Sequence, residues 1–262
     1  MTGNQLFTIF LLGLFRLAPI VSLAPFLGAK LPGGVKMGLA ISLTVLFLPH
    51  LIHYADKPLE FNMAFMGYSL KELLIGFFLA FFATIPFYIA QGSGSLIDFQ
   101  RGSSSLQVTD PTTQSQTSSI GTMFNYILIV IFFQIGGPFF FLDAVGESFR
   151  IIPIDTMIPM SFFTNLSLPF WKTIIGLLTR FTAISIQLAA PSMVSILMAE
   201  MFLGIANRLA PQVQIVFLGM SLKSLLGLGM LWSGWFFILQ QMSKQSLLWI
   251  KNIDDILRAM NM

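Results

Sequence analysis

The chain's apolar residues come in runs too long for the core of an ordinary domain. Six hydrophobic stretches, residues 6–27, 37–53, 61–90, 123–142, 170–198 and 213–242, take up most of its length. An α-helix rises about 1.5 Å per residue, so roughly 20 apolar residues cross the hydrocarbon layer of a bilayer. No water reaches backbone N–H and C=O groups there, and a run of this length satisfies them by being helical. Only 10% of the residues are charged, against about a quarter in a soluble domain. That leaves too little polar surface to wet six such helices. The expectation is an all-α, multispan membrane protein of about six hydrophobic helical segments, folded as a single domain over residues 1–262.

One stretch breaks the pattern. Residues 92–121, GSGSLIDFQRGSSSLQVTDPTTQSQTSSIG, are polar and rich in Gly, Ser, Thr and Gln. An open loop of this composition cannot enter lipid; it suits water, either at a surface or in a pore. Gly92, Gly94 and Gly102 permit backbone angles closed to other residues. Asp98 and Arg101, three apart, are placed to pair and hold the first end. Asp110 followed by Pro111 starts a turn, and the apolar pattern restarts at Met123. A solvent-facing loop without further role explains the same residues.

Charges also stand where lipid is expected. Arg16 lies inside the first run, Lys71 and Glu72 in the third, Arg180 in the fifth and Lys223 in the sixth. A charge at the bilayer centre costs a few kcal/mol or more, so these residues need partners. Three readings compete: structural pairing inside an assembly, a proton or ion relay through Glu72 and Glu200, and segments that are not lipid-embedded. Cations outnumber acids here, which weighs against a relay.

Several functions are excluded or lack support. A net charge of +3 spread over many loops forms no basic patch, so nucleic acid is not an expected partner. Zero cysteines exclude disulfides and thiol chemistry. His50 and His53 form an HxxH beside Asp56, yet no third His completes a metal site, and an interfacial pair near water is the plainer reading. No Walker loop, G-x-S-x-G or supported Ser/His/Asp set is present; neither catalysis nor a cofactor is expected. The opening MTGNQLFTIFLLGLFRLAPIV lacks the basic start and small-residue cleavage site of a secretory signal and reads as a retained first span. Lys30 and Lys36 would place the first connection in the cytoplasm, but the 143–169 connection, with Asp143, Glu147 and Asp155 against Arg150, does not reinforce this, and orientation stays open. Gly219, Ser221, Ser224, Gly227, Gly229, Ser233 and Gly234 in the last run let backbones approach closely. Residues 243–262 have apolar residues at helical spacing and charges opposite, the pattern of an amphipathic C-terminal helix.

Specific motifs carry a resemblance. The form I-D-x-Q-R-G at residues 97–102 followed by Asp110 and Pro111, FRLAPI around Arg16, KELLIGF with Glu72, Gly136–Gly137, ESFRIIPI at 147–154, and a C-terminal hairpin with Pro191, Glu200, Gly204, Asn207, Arg208, Pro211 and Gln212 resemble the FliR/SctT export-gate subunits of bacterial type III secretion systems. The resemblance covers nearly the whole chain, and the D-x-Q-R-G form looks more like the injectisome branch than the flagellar one. It implies bent helical hairpins in a multi-pass protein of the bacterial inner membrane, within the secretion basal body. It also implies a FliP/SctR-like part over 1–169, a FliQ/SctS-like hairpin over 170–242 and an amphipathic tail over 243–262. Implied partners are FliP/SctR-like and FliQ/SctS-like gate subunits, FlhB/SctU-like and FlhA/SctV-like components, membrane lipid, and unfolded secreted proteins in transit. The loop 92–121 would plug the closed channel, Arg16, Glu72 and Arg180 would be buried against other subunits instead of lipid, and Lys71, Glu200 and Lys223 would be further buried polar or assembly residues. The rival class is a secondary transporter or ion channel for small solutes, which inverted repeats would favour; none is visible. A scaffold without a moving part is the third.

Overall fold

A computed structural model describes residues 3–28, 31–55, 61, 63–102, 118–157, 169–209 and 215–260. These are all-α, with no strand among the described residues. Eight helices follow in order: α1 (Gly3–Leu23), α2 (Gly33–Tyr54), α3 (Met63–Gln100), α4 (Ser119–Gln134), α5 (Gly137–Ile151), α6 (Pro169–Leu209), α7 (Ile215–Ser233) and α8 (Trp235–Met260), with a 3-10 turn at Pro25–Leu27. Four are long and apolar enough to cross a membrane, or up to six spans if each of two bent pairs, α4 with α5 and α7 with α8, counts as one.

The helices form two compact units, residues 1–85, 136–177 and 247–262 in the first and 86–135 and 178–246 in the second. In the first unit, α1 buries Ile9, Leu12, Gly13, Arg16, Leu17 and Ile20, the three-and-four spacing of one helical face. Gly13 lets α2 pack closely: a Cβ there would lie 2.5 Å from Leu51 Cδ1, so that the leucine tip would have to shift. The helix stops at Ala24, which is extended, and the chain turns through Pro25 to Gly28, whose φ of 87° favours glycine. From α5, Phe141, Val145, Ser148 and Phe149 face inward, with Phe141 edge-on to Phe26 at 5.1 Å.

The second unit contains two antiparallel helix pairs. The C-terminal part of α3 lies against α4, as Phe87 meets Phe132 at 5.4 Å while a Cβ on Gly94 would fall 2.5 Å from the Gly121 backbone nitrogen. Further along, α6 lies against α7. A Cβ on Gly227 would come within 2.9 Å of Ile196 Cδ1, and one on Gly219 within 3.1 Å of Leu203 Cδ1. The pair α7–α8 bends by 64° at Gly234.

Several sequence boundaries move. The insert expected as a loop from residue 92 is helical to Gln100 and again from Ser119, so Gly92 and Gly94 are helix residues. Gly94 serves close approach to α4, while Gly102 does take a positive φ of 80°. Residues 103–117, with Asp110 and Pro111, lie outside the described residues. The single segment expected over 123–142 is cut at Gly136 (φ 73°), and α5 carries the helix through the expected 143–169 connection as far as Ile151. The fifth segment continues past 198 to Leu209. The sixth breaks at Gly234, and the tail expected to begin at 243 is one helix with Trp235–Met260. Hydropathy reports what a helix face touches, not where its hydrogen bonds stop, so polar helix ends are read as loops.

Candidate functional site: buried charges and the ends of the polar segment

The first unit holds the most enclosed charges among the described residues. Arg16 on α1 and Glu72 on α3 are each fully buried. Arg16 Nε donates to Glu72 Oε2 at 2.5 Å and Nη2 to Oε1 at 2.9 Å, a two-pronged match between guanidinium and carboxylate. The remaining donors reach α5: Nη1 to the Ser148 carbonyl at 2.9 Å and its Oγ at 3.1 Å, and Nη2 to the Ile152 carbonyl at 2.8 Å. These acceptors lie at the helix's C-terminal end, where the dipole favours a cation; the Ser148 carbonyl also accepts from the Ile152 backbone N–H at 3.0 Å. The guanidinium also sits 4.2 Å from the centre of the Phe149 ring. Lys71 adds a second cation, 2.7 Å from Glu72 Oε1, and donates to the Pro153 and Thr156 carbonyls at 2.7 and 2.9 Å.

Gly76, one turn after Glu72, makes this reach possible. A Cβ there would stand 2.1 Å from the Arg16 carbonyl oxygen, so α1 and α3 touch backbone to backbone. The cluster welds three helices. With both Glu72 oxygens engaged by cations, it offers no open carboxylate for a relay.

The second unit brings together the two ends of the polar segment. Asp98, 2% exposed, accepts from Arg101 Nε at 2.8 Å. Its other oxygen accepts from Ser118 Oγ at 2.5 Å and from the Ile120 backbone N–H at 2.9 Å. Ser118 caps α4, its Oγ accepting from the Gly121 N–H at 2.8 Å. Arg101 Nη1 donates to Ser224 Oγ on α7 at 3.2 Å.

The other sequence-derived residues are scattered. Glu200 on α6 pairs with Lys223 on α7, side chains 49% and 20% exposed. Arg180, Gly204, Asn207 and Arg208 are exposed. Pro211 and Gln212 lie outside the described residues. His50 and His53 each meet the Tyr54 ring edge-on, and no group of three metal-ligating side chains occurs among the described residues. Ser118, Ser148, Gly76 and Gly121 lie within quoted stretches, but the sequence reading gives none of them a role of its own. Ser118 was findable as a capping residue ahead of an apolar run; backbone carbonyl acceptors leave no mark in a sequence.

Comparison with known proteins adds the following. The family described as bacterial export proteins, family 1, matches residues 7–247. Surface presentation of antigens protein SpaR of Shigella flexneri is 31% identical over 227 residues, 86% of this chain and 84% of that protein. Yop proteins translocation protein T of Yersinia pestis is 30% identical over 204 residues, 76% of this chain and 75% of that protein. Flagellar biosynthetic protein FliR of Bacillus subtilis is 29% identical over 222 residues, 84% of this chain and 83% of that protein.

Proposed function

We propose that this chain, which belongs to the family of bacterial export proteins, family 1, is a subunit of the export gate through which unfolded proteins leave the cytoplasm. It is a multi-pass protein of the bacterial inner membrane, and its family argues against an enzymatic role. The proposal extends to its neighbours: FliP/SctR-like and FliQ/SctS-like gate subunits, FlhB/SctU-like and FlhA/SctV-like components, and the polypeptide in transit. Within the chain, residues 1–169 would correspond to the FliP/SctR-like part and 170–242 to the FliQ/SctS-like hairpin, the injectisome branch being favoured by the D-x-Q-R-G form at 98–102.

The polar segment would act as the stopper of the closed gate. One observation carries this: both its ends are fixed to one buried side chain, Asp98, at the end of an antiparallel helix pair. A polar loop of low charge between two helices is compatible with a water-filled pore and excluded from lipid. The test is to delete about ten residues within 102–114 and measure entry of small dyes into resting cells carrying the assembled gate. Raised entry is the expected result; unchanged entry in a correctly assembled gate rejects the stopper.

The α6 end would dock on the neighbours. Met198, Met201, Phe202, Ile205 and Leu209 are exposed there, beside Arg208. Replacing Arg208 or Glu200 with Ala is expected to reduce co-isolation of the small gate subunits; normal recovery would count against docking at this face.

A further inference from the structure

A cavity of about 640 Å³ opens where α7 meets α8 at the 64° bend, with α6 forming its other wall. The walls change character along their length. Beside the bend they are apolar, with Pro191, Met230 and Phe237. Farther out they are polar, with Gln240 and Lys244 one to two turns along α8 and Gln187 one turn before Pro191 on α6. Among the described residues that line the cavity, Lys244 is the only charged one. Arg180, exposed and two turns before Gln187, continues that face of α6. We propose that this groove binds one phospholipid with an anionic, hydroxyl-bearing headgroup, its chain beside Met230 and Phe237 and its phosphate at Lys244. The proposal rests on the membrane location of the chain and not on the stopper.

Size and polarity select the occupant. Two turns of helix, about 10 Å across and 11 Å long, fill roughly 850 Å³, more than the cavity holds, whereas its volume is ordinary for a small amphipathic ligand. An acyl chain gains little by leaving one apolar medium for another, so preference for one lipid must come from the headgroup end. There, Lys244 offers a charge-assisted bond to a phosphate. Pro191 has no N–H and leaves the Gln187 carbonyl without its usual i+4 donor, an acceptor that a headgroup hydroxyl can satisfy. Trp232 and Phe236, 84% and 73% exposed, flank the bend. Aromatic rings of this kind gather at the membrane–water boundary, the level at which headgroups lie.

The experiment uses the full purified gate, with native mass spectrometry to count bound lipid and phosphatidylglycerol and phosphatidylcholine of identical chains as probes. The wild type is expected to retain phosphatidylglycerol in preference. Lys244→Gln should lower that retention about fivefold, the loss of one cation beside an anionic headgroup, and leave phosphatidylcholine unchanged; Lys244→Arg should restore it. Ser233→Leu puts a larger apolar side chain on the cavity wall and should expel the lipid while the gate subunits stay together. Lys36→Gln, on α2 in the first unit, should match wild type. Equal retention of the two lipids by the wild type overturns headgroup selection. Retention that neither Lys244→Gln nor Ser233→Leu changes marks lipid bound elsewhere and overturns the site. Loss of a gate subunit in Ser233→Leu, with phosphatidylglycerol unaffected by Lys244→Gln, assigns the groove to a protein and overturns it as well. Displacement by inorganic phosphate at equal concentration reduces the site to an anion contact without a chain, which also overturns it. Should Ser233→Leu fail to assemble, the Lys244 variants decide alone: loss in Lys244→Gln with recovery in Lys244→Arg supports the site, and no loss overturns it. Dye entry in the loop deletion plays no part in these results, so failure of the lipid site and failure of the stopper are told apart.

Discussion

Two ion pairs inside apolar runs behave differently in this molecule. Arg16 and Glu72 are wholly enclosed, and the guanidinium meets both carboxylate oxygens and α5 acceptors. Glu200 and Lys223 join α6 to α7 with half of the glutamate side chain exposed. The chemistry is the same, yet the first pair is completed by its own chain and the second is left partly exposed. A charge in a hydrophobic run is therefore no single category. One kind is enclosed within the fold; the other lies partly at its surface.

Removing Arg16 should break the comparison most strongly. Arg16→Ala leaves Glu72 buried with Lys71 and strips donors from Ser148 and Ile152, a loss of about 3–5 kcal/mol for a broken buried pair. The chain should fall to low levels in the membrane fraction, measured by immunoblot, and Arg16→Lys should rescue little because an ammonium cannot supply the fork. Wild-type levels of Arg16→Ala would sink the claim that this cluster holds the unit together.

Gly76→Ala comes next. Its new Cβ meets backbone, 2.1 Å from the Arg16 carbonyl oxygen, and an overpacked contact costs about 1–3 kcal/mol. The purified gate should unfold at a lower temperature, whereas Gly176→Ala, with nothing within 4 Å, should match or exceed wild type. Equal melting of the two variants would remove the backbone-contact argument.

The smallest effect on stability is expected at the open pair. A partly exposed ion pair contributes about 0–1 kcal/mol, so Lys223→Ala should melt near wild type and show its loss in co-isolation with gate subunits instead. A double-mutant cycle with Glu200→Ala sharpens the point: coupling above that range would move this pair into the same class as Arg16–Glu72.

Parts of the site could be read directly. Asp98 and Arg101 are three apart, and residues at that spacing meet on a helix whatever surrounds them. The positive φ of Gly102 follows the usual use of glycine after a helix end. The helical span of 92–100 was not legible, because a glycine- and serine-rich composition imitates a loop until its buried face against α4 is known. Nor was the break at Gly234, since an apolar run looks the same bent or straight.

What the residues determined alone is local: helicity, enough apolar length to span a membrane, a polar interruption, and membership in an export family. Helicity follows from backbone groups that must be satisfied within their own segment, and the rest from residue order and composition alone. The tertiary structure decided which charges meet. Glu72 lies 56 residues from Arg16, the Ser148 carbonyl 132, and Ser118 lies 20 from Asp98. Those meetings depend on which helix faces come together and how near glycine lets them approach, which no local pattern encodes.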